Sequence, residues 1–508
     1  MKIIYAILFL QISLGLSAQV KGDFLWVLGF DYPANSPNEN GYRINFNDVP
    51  LTVDATNNTY PFDQNNASIC DEEGNLLFWS NGCSVVNADF QLMPNGDSIN
   101  YNYWFDLVWG GNFGSGYPGR QDIMILPDPG NLEGYYLFHK SNVFYANAKD
   151  SIGFQHSYID MSLDNGKGDV TYKNIQLHDR DNFMSSYLTA INHSNGSDWW
   201  VIQPFVEDSS FFVLKIDETG IHRQPDQNTN HYFTLDLSSA AGTAKFSPDG
   251  TKYAIYSYND NLHIYDFNRA TGQFSNHQEV VIFEEPDPSL FYFASVEWSP
   301  NSRFVYTAAT LTLHQVDTWE SDINSAGIRL VGEYDGSLDP FPTTFSLMAQ
   351  GPDCKIYMSP GSSTTAYHVI NSPDELGLDC DFVQNGLNLP RTSSRSCFPN
   401  FPRFRVDEEE KCDPSIVTML GEPVWYRRDL SVFPNPSSGR FYIALPEGIE
   451  GVLEIRDITG KLVESRNPML WERELTIDLK ETGTYEVLFY PTMNEERILY
   501  EGKVIVGK

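Results

Sequence analysis

The sequence predicts an all-β protein, a β-propeller followed by a C-terminal immunoglobulin-like β-sandwich. Of the 508 residues, 14% are aromatic and are accompanied by 37 Gly and 29 Pro, a mixture typical of short strands joined by turns. A strand–turn–strand pattern recurs at a fixed period through the central part of the chain. The last ~80 residues follow a different pattern, and a chain of this length is expected to hold more than one domain.

Residues 1–18 have the features of a cleavable signal peptide. Lys2 supplies one basic residue, a short apolar run follows, and the small residues Gly15, Ser17 and Ala18 close the segment. We place cleavage after Ala18, and no Cys follows that point, which argues against a lipid anchor. Neither this run nor any later apolar stretch is long enough to span a membrane.

Residues 19–406 are predicted to form the propeller, because one unit of strand, turn and strand recurs. Ser247, Ser299 and Gly351 each begin a turn built from Pro with Asp or Asn, and they are spaced 52 residues apart. Looser copies begin near residues 67, 123 and 188. Strands near residues 24–28 and 42–46 belong to no unit, and residues 401–406 would supply their missing strand. The prediction is seven blades with the seventh split between the chain ends, and six blades are the alternative.

Residues 407–429 are predicted to be a linker, because the charge run at residues 407–411 is typical of a solvated segment. Residues 430–508 then contain at least five short strands. Strands at this spacing predict an immunoglobulin-like sandwich.

This last segment resembles the type A C-terminal sorting domain of the type IX secretion system of Bacteroidetes. The residues that carry the resemblance to the sorting signal are Pro434, Asn435, Pro436, Gly439, Gly460, Gly483, Lys503 and Lys508. The resemblance implies that the secretion machinery is a partner and that the chain crosses the inner membrane and then the outer membrane. It also implies removal of the domain, followed by attachment to the cell surface or by release.

The body is also similar to a group of secreted Bacteroidetes propeller proteins. The matching segments are Gly-Asn-Leu-Leu-Phe at residues 74–78, Ser-Asn-Gly-Cys at 80–83, Gly-Pro-Asp-Cys at 351–354 and Pro-Asn-Phe-Pro at 399–402. This similarity implies the architecture and export of the chain, and it implies no particular activity.

Six cysteines follow the signal peptide: Cys70, Cys83, Cys354, Cys380, Cys397 and Cys412. An even number in an exported protein predicts disulfides. Cys70 and Cys83 flank a short strand and form the expected local pair, and the pairing of the other four stays open. No close Cys-x-x-Cys pair is present, so no metal site is predicted.

The net charge of −34, from 33 Lys and Arg against 67 Asp and Glu, argues against binding to nucleic acid or anionic membranes. Residues 164–169 and 284–288 offer clustered oxygens of the kind that Ca²⁺ prefers. Neither has the twelve-residue loop pattern of an EF-hand. The sequence therefore predicts no cofactor, with Ca²⁺ as the alternative.

The repeated polar residues are predicted to serve the fold. Asp249, Asn301 and Asp353 stand in the recurring turns, where such side chains bond their own backbone. The same reasoning applies to Asp71 and Asp128 in the looser copies. His263, His314 and His368 recur at similar positions in successive blades. Equivalent positions of different blades lie far apart around a ring, so these histidines are expected to make hydrogen bonds inside their blades.

An unusual aromatic, Gly-rich segment between two blades is the candidate ligand-binding site. Its residues Tyr101, Tyr103, Trp104, Trp109 and Tyr117 would form a stacking platform for sugar rings or peptide. The alternative is that the segment packs over the propeller face.

Zinc-protease, nucleophile-turn and phosphate-loop motifs are absent from the sequence, and no catalytic residue is assigned. We therefore predict a binding or surface-display module for an extracellular glycan, peptide or protein rather than an enzyme. The alternative is a secreted hydrolase of polysaccharide or peptide, with a carboxylate pair at the mouth of the propeller channel.

Overall fold

The computed structural model divides the chain into two compact units, Met1–Val417 and Thr418–Lys508. The structure describes residues 21–30, 40–58, 60–62, 64–101, 119–140, 153–178, 183–234, 242–283, 293–393, 398–408, 412, 426–446, 449, 451–457, 461–469, 472–491 and 498–507. The signal-peptide prediction lies outside these residues. Among the described residues, no helix is long and apolar enough to cross a membrane.

The described residues of the first unit form seven antiparallel sheets, one for each blade. Blade 1 consists of β1 (Leu25–Leu28), β2 (Tyr42–Asn45) and β3 (Thr52–Ala55). Blade 2 consists of β4 (Ala67–Cys70), β5 (Leu76–Ser80) and β6 (Val85–Asn87). Blade 3 consists of β7 (Ile123–Asp128), β8 (Asn131–Lys140), β9 (Phe154–Asp160) and β10 (Asp169–His178). Blade 4 consists of β11 (Thr189–Asn192), β12 (Trp199–Pro204), β13 (Asp208–Asp217), β14 (Gly220–Arg223) and β15 (Gln227–Phe233). Blade 5 consists of β16 (Thr243–Phe246), β17 (Lys252–Tyr256), β18 (Leu262–Asn268) and β19 (Gln273–Val280). Blade 6 consists of β20 (Ala294–Trp298), β21 (Phe304–Ala309), β22 (Thr312–Asp317) and β23 (Ile328–Glu333). Blade 7 consists of β24 (Phe345–Gln350), β25 (Ile356–Pro360), β26 (Ala366–Ile370) and β27 (Phe382–Asn388).

In the described part of the propeller, three short helical turns interrupt the blades: 3₁₀ turns at Asp164–Gly166 and Gly377–Cys380, and a π-helical turn at Ile323–Gly327.

The first strands of successive blades lie side by side. The Val296 amide of β20 donates to Thr243 Oγ1 of β16 at 2.8 Å, and Ser295 Oγ donates to the Ser346 carbonyl of β24. The apolar side chains of neighbouring blades share common cores, because strand residues that alternate in direction bury both faces of each blade. Blade 7 packs against blade 1 in one of these cores, through Tyr357, Tyr367, Trp26 and their neighbours. The sheets therefore close into a ring, which confirms the all-β propeller prediction.

Residues 398–408 form an axial segment. β1 runs opposite to β4, because Asn66 donates to the Val27 carbonyl while Ser68 donates to the Leu25 carbonyl. The axial segment packs against blade 1, where the centroids of its Phe398 and Phe401 rings lie 5.3 and 6.1 Å from that of Trp26.

The prediction that residues 401–406 supply the missing strand of the N-terminal sheet is wrong. Arg403 forms a parallel bridge with Ile191 of β11, and the first sheet contains β1, β2 and β3 alone. Asn400 Nδ2 donates to the carbonyls of Ile123 and Leu188 at 3.1 and 3.0 Å. Because its polar groups bond to several blades, the segment lies along the axis and does not extend one sheet.

The expected pair of Cys70 with Cys83 does not form, and Cys70 is a buried free thiol. In the β4–β5 hairpin Cys70 lies opposite Leu76, whereas Ala67 lies opposite Ser80, so Cys83 follows the other end of the hairpin. Three residues of strand span about 10 Å, which exceeds the Cα separation of about 7 Å that a disulfide tolerates.

The disulfide that the structure contains joins Cys354 in the first turn of blade 7 to Cys412 beyond the axial segment, with Cα atoms 5.3 Å apart. Cys380 is a buried free thiol, and Cys397 lies outside the described residues.

The second unit is a β-sandwich, as predicted. One sheet has the order β28 (Tyr426–Asp429), β35 (Ile498–Val506), β34 (Gly483–Pro491), β31 (Gly451–Asp457), β32 (Leu462–Arg466). The other has the order β29 (Val432–Phe433), β30 (Arg440–Ala444), β33 (Glu474–Asp478). Apolar residues from both sheets, including Phe441, Ile477 and Val487, form one core between them.

Candidate functional site

A crevice of about 300 Å³ lies among the first turns of blades 2, 3 and 4. Each turn follows the first strand of its blade, so the ring places the three turns side by side. The lining residues are Asp71, Glu72, Glu73, Leu77, Pro127, Asp128, Pro129, Leu132, Glu133, Tyr135, Asn192, Gly196, Ser197 and Trp199. Five carboxylates therefore face one crevice, and no Lys or Arg is among the described residues that line it.

Two of the carboxylates are fixed by their own turns. Asp71 Oδ1 accepts from the amides of Glu73 and Asn75 at 3.0 and 2.8 Å. Asp128 accepts from the Gly130 amide at 2.9 Å and from the Tyr158 hydroxyl at 2.7 Å. These bonds hold the backbone of the turns and confirm that both Asp residues serve the fold.

The other three carboxylates belong to Glu72, Glu73 and Glu133, and all three side chains are exposed. Among the described residues, none of them takes part in an ion pair. Leu132 is 75% exposed beside them, whereas Tyr135 and Trp199 are buried beneath. The crevice thus combines a negative rim with an apolar floor, an arrangement that suits a cationic group on an apolar stem.

The aromatic platform falls mostly outside the described residues. Tyr101 is described and is 50% exposed. Tyr103, Trp104, Trp109 and Tyr117 lie outside the described part of the chain, so the platform stays a prediction.

The carboxylates near the axis are engaged by the axial segment. Arg403 forms an ion pair with Glu297, and Arg405 with Asp23. Arg403 Nε also donates to the Phe246 carbonyl at 2.8 Å. These two carboxylates hold the ring together, and a hydrolytic pair at the channel would need others.

Ser157, His139 and Asn100 reproduce the geometry of a nucleophile relay. His139 Nε2 lies 2.9 Å from Ser157 Oγ, and His139 Nδ1 lies 2.7 Å from Asn100 Oδ1. All three side chains have no solvent exposure. Burial lowers the pKa of His139 to about 3, so the ring is neutral at pH 7. Because these side chains are not accessible to solvent, they are not accessible to a substrate either. The bonds among them therefore stabilise blade 3.

The recurring turn residues behave as predicted. Asp249 Oδ1 accepts from the Thr251 amide, and Asn301 Oδ1 accepts from the Arg303 amide, each at 3.0 Å. Asp353 Oδ1 accepts from the Lys355 amide at 3.3 Å. The same turn chemistry is thus used in blades 5, 6 and 7.

The recurring histidines differ from one another. His368 Nδ1 accepts from the Asn385 amide at 3.1 Å inside blade 7, and the His314 ring packs edge-on against Phe283. His263 instead belongs to a cluster with His231, His277 and Asp260. His263 Nε2 donates to the Asp260 carbonyl at 2.6 Å, and His263 Nδ1 lies 3.0 Å from His277 Nε2. Burial, and secondarily His231, lowers the pKa of His263 to about 4.

Sequence spacing missed this cluster because His231 and His263 come from strands of different sheets. The oxygen-rich segment at residues 164–169 lies in an exposed turn, and residues 284–288 lie outside the described residues. The Ca²⁺ alternative therefore stays a prediction.

The sorting-signal residues meet at the last strand of the sandwich. Asn435 Nδ2 donates to the Lys503 carbonyl at 2.7 Å, and Asn435 Oδ1 accepts from the Ile505 amide at 3.0 Å. Gly439 has φ +116°, and a Cβ there would lie 2.8 Å from the Leu479 carbonyl oxygen. Gly483 pairs with Val506. Asn435 lies between Pro434 and Pro436, and Gly460 and Lys508 lie outside the described residues.

We expect Asn435→Ala to release the last strand, because one amide side chain makes both of these backbone bonds. Its loss should destabilise the sandwich by about 1–3 kcal/mol, the range for two hydrogen bonds. Export should fall with it, measured as the ratio of extracellular to periplasmic protein. Asn467→Ala, at an exposed position, is the control. Equal export of both variants would contradict the expectation.

The sequence comparisons identify the second unit. Residues 431–505 match the family model described as a secretion system C-terminal sorting domain. No curated protein matches the chain significantly.

Several solved structures are similar to the chain. A putative 6-phosphogluconolactonase from Bacteroides uniformis is 10% identical, with a TM-score of 0.45, over 74% of this chain and 99% of that one. A periplasmic gluconolactonase from Pseudomonas aeruginosa is 11% identical, with a TM-score of 0.36, over 73% and 98%. PorZ, a surface component of the type IX secretion system of Porphyromonas gingivalis, is 11% identical, with a TM-score of 0.34, over 92% and 63%. Similarity at this level carries no functional argument.

The sorting-domain match confirms the resemblance drawn from the sequence and the export that it implies. The ring of seven sheets establishes the fold of the part that is delivered. The chain is a β-propeller protein with a type IX C-terminal sorting domain, exported to the cell surface or the medium.

Proposed function

We propose that the propeller is an extracellular binding module whose crevice receives a basic segment of a peptide or protein. The observation that carries the proposal is the convergence of five carboxylates from two blades on one crevice that no Lys or Arg lines. Loops on a rigid ring are a common place for binding residues.

Charge and shape together favour a Lys or Arg side chain as the occupant. A cationic head would meet the exposed glutamates at the rim, while its methylene stem would contact Leu132 and Leu77. The buried rings of Tyr135 and Trp199 offer little surface for a sugar to stack upon. Peptide or protein is thus favoured over glycan at this crevice.

A hydrolase is the less favoured function for the same region. Asp71 and Asp128 are occupied by bonds within their turns. Near the axis, Asp23 and Glu297 are paired with Arg405 and Arg403. A carboxylate committed to such bonds is a poor acid or base, because protonation would break them.

The test is a binding measurement on the secreted protein with a fluorescent Lys/Arg-rich peptide. A Glu-rich peptide and a neutral oligosaccharide serve as comparison ligands. The triple variant Glu72→Gln, Glu73→Gln, Glu133→Gln should raise the Kd for the basic peptide about 10- to 100-fold, because each exposed ion pair contributes up to about 1 kcal/mol. Affinity should also fall with rising salt.

The matched control removes three exposed charges elsewhere, with Glu333→Gln, Glu375→Gln and Asp379→Asn. It should leave the Kd unchanged within about twofold, because charges beyond a Debye length are screened. Equal losses in both triple variants would show that net charge alone attracts the peptide. Tight binding of the oligosaccharide, insensitive to the crevice variant, would favour a glycan site elsewhere.

A further inference from the structure

His231, Asp260 and His263 bring two imidazoles and one carboxylate together where blades 4 and 5 meet. His231 lies in β15, Asp260 lies in the turn between β17 and β18, and His263 lies in β18. One ligand atom from each lies within 4.8 Å of the other two. We propose that these three side chains bind a divalent first-row transition metal, with Zn²⁺ as the best match.

The distances leave room for an ion after small side-chain movements. His231 Nε2 lies 2.9 Å from Asp260 Oδ2, and His263 Nε2 lies 4.0 Å from the same oxygen. The two imidazole rings are 3.9 Å apart between centroids. Zn²⁺ holds nitrogen and oxygen ligands at about 2.0–2.2 Å in a tetrahedron, so its ligand atoms stand about 3.3 Å apart. The two separations measured from Asp260 Oδ2, 2.9 and 4.0 Å, bracket that value.

The chemistry of the donors selects the class of metal. Two imidazole nitrogens suit Zn²⁺ and its first-row neighbours, whereas Ca²⁺ and Mg²⁺ prefer oxygen alone. Three protein ligands leave one tetrahedral position for water or an external ligand. A structural zinc site usually has four protein ligands, so this set matches the open type.

The surroundings would orient the ligands. His277 Nε2 lies 3.0 Å from His263 Nδ1, the position of an outer partner that fixes the ring of a ligating histidine. Without metal, His263 Nε2 donates to the Asp260 carbonyl. Metal binding would move that proton to Nδ1. His277, whose Nε2 donates to His263 Nδ1 in the metal-free state, would then carry its proton on Nδ1 and accept from His263, so the charge of both rings is unchanged.

The cluster is partly exposed to solvent. His263 is almost fully buried, whereas the Asp260 and His231 side chains are 25% and 19% exposed. The flanking Asn259 and Asn261 each have a buried amide oxygen without a hydrogen-bond partner among the described residues.

The test is titration of the secreted protein with Zn²⁺ after removal of metal by a chelator. Calorimetry should give one site, and Co²⁺ in place of Zn²⁺ should give the visible absorption of a low-coordinate imidazole–carboxylate complex. Zn²⁺ should also raise the melting temperature of the native chain, because an ion that binds only the folded state stabilises it.

His231→Gln and Asp260→Asn alter partly exposed ligands and should each abolish the Co²⁺ absorption. His277→Gln should weaken Zn²⁺ binding about 10- to 100-fold, as expected for an outer partner. His222→Gln is the matched control, because His222 Nε2 lies 3.0 Å from Asp217 Oδ1 in a pair that gains no third ligand among the described residues. Absence of Zn²⁺ binding by the native chain, or equal binding by His231→Gln and His222→Gln, would overturn the proposal.

Discussion

Replacing Arg403 with Met is expected to lower the free energy of unfolding of the propeller by about 3–5 kcal/mol, the usual loss when one partner of a buried ion pair is removed. Arg403 is 15% exposed, and its partner Glu297 is 1% exposed. Without the guanidinium, the buried Glu297 carboxylate would lose its ion-pair partner. The Phe246 carbonyl and Gln350 Oε1 would also lose donors at 2.8 and 3.1 Å. Chemical denaturation, followed by Trp fluorescence, measures the loss.

The effect should be specific to the axial segment and not to arginine as such. Arg43→Met is the control, because the Arg43–Asp54 pair has a separation of 3.5 Å and both side chains are more than 40% exposed. Its removal should cost at most about 1 kcal/mol. The double variant Arg403→Met, Glu297→Gln should lose less stability than the two single variants lose in sum, because it leaves no unpaired charge. A loss below about 1 kcal/mol in Arg403→Met would mean that the axial segment does not hold the ring.

Removing the disulfide with Cys412→Ser is expected to destabilise the propeller by about 4 kcal/mol. The bond joins residues 58 apart in the sequence. Closing a loop of that length removes chain entropy from the unfolded state, which corresponds to about 4 kcal/mol at 25 °C. Because Cys412 follows the axial segment, the bond also keeps that segment tied to blade 7. Unfolding in urea with and without reductant measures the effect.

Reductant supplies the internal control for this prediction. It should lower the stability of the native chain to that of Cys412→Ser and leave the variant unchanged. Cys354→Ser should match Cys412→Ser, whereas Cys380→Ala should respond to reductant as the native chain does, because Cys380 is a free thiol and its replacement leaves the Cys354–Cys412 bond intact. A native chain whose stability does not respond to reductant would contradict the prediction.

Local patterns in the sequence determined the repeat, the turns and the sorting domain. The 52-residue spacing marked blades 5 to 7, because a Pro with Asp or Asn forms the same turn in each. The alternation of apolar residues determined the strands, since the period of two is a property of the strand itself. Asp71 and Asp128 were recognisable as turn residues for the same local reason.

Contacts between distant parts of the chain were decided by the tertiary structure. The disulfide partner of Cys354 and the pairing of Arg403 with Glu297 join residues that the sequence separates by 58 and 106 positions. The crevice exists only because the ring places the first turns of three blades together, and the histidine cluster exists only because β15 reaches the edge of blade 5. A residue's neighbours in the sequence determine the turn or strand that it forms. Which side chains come into contact across the molecule depends instead on how whole sheets pack against one another.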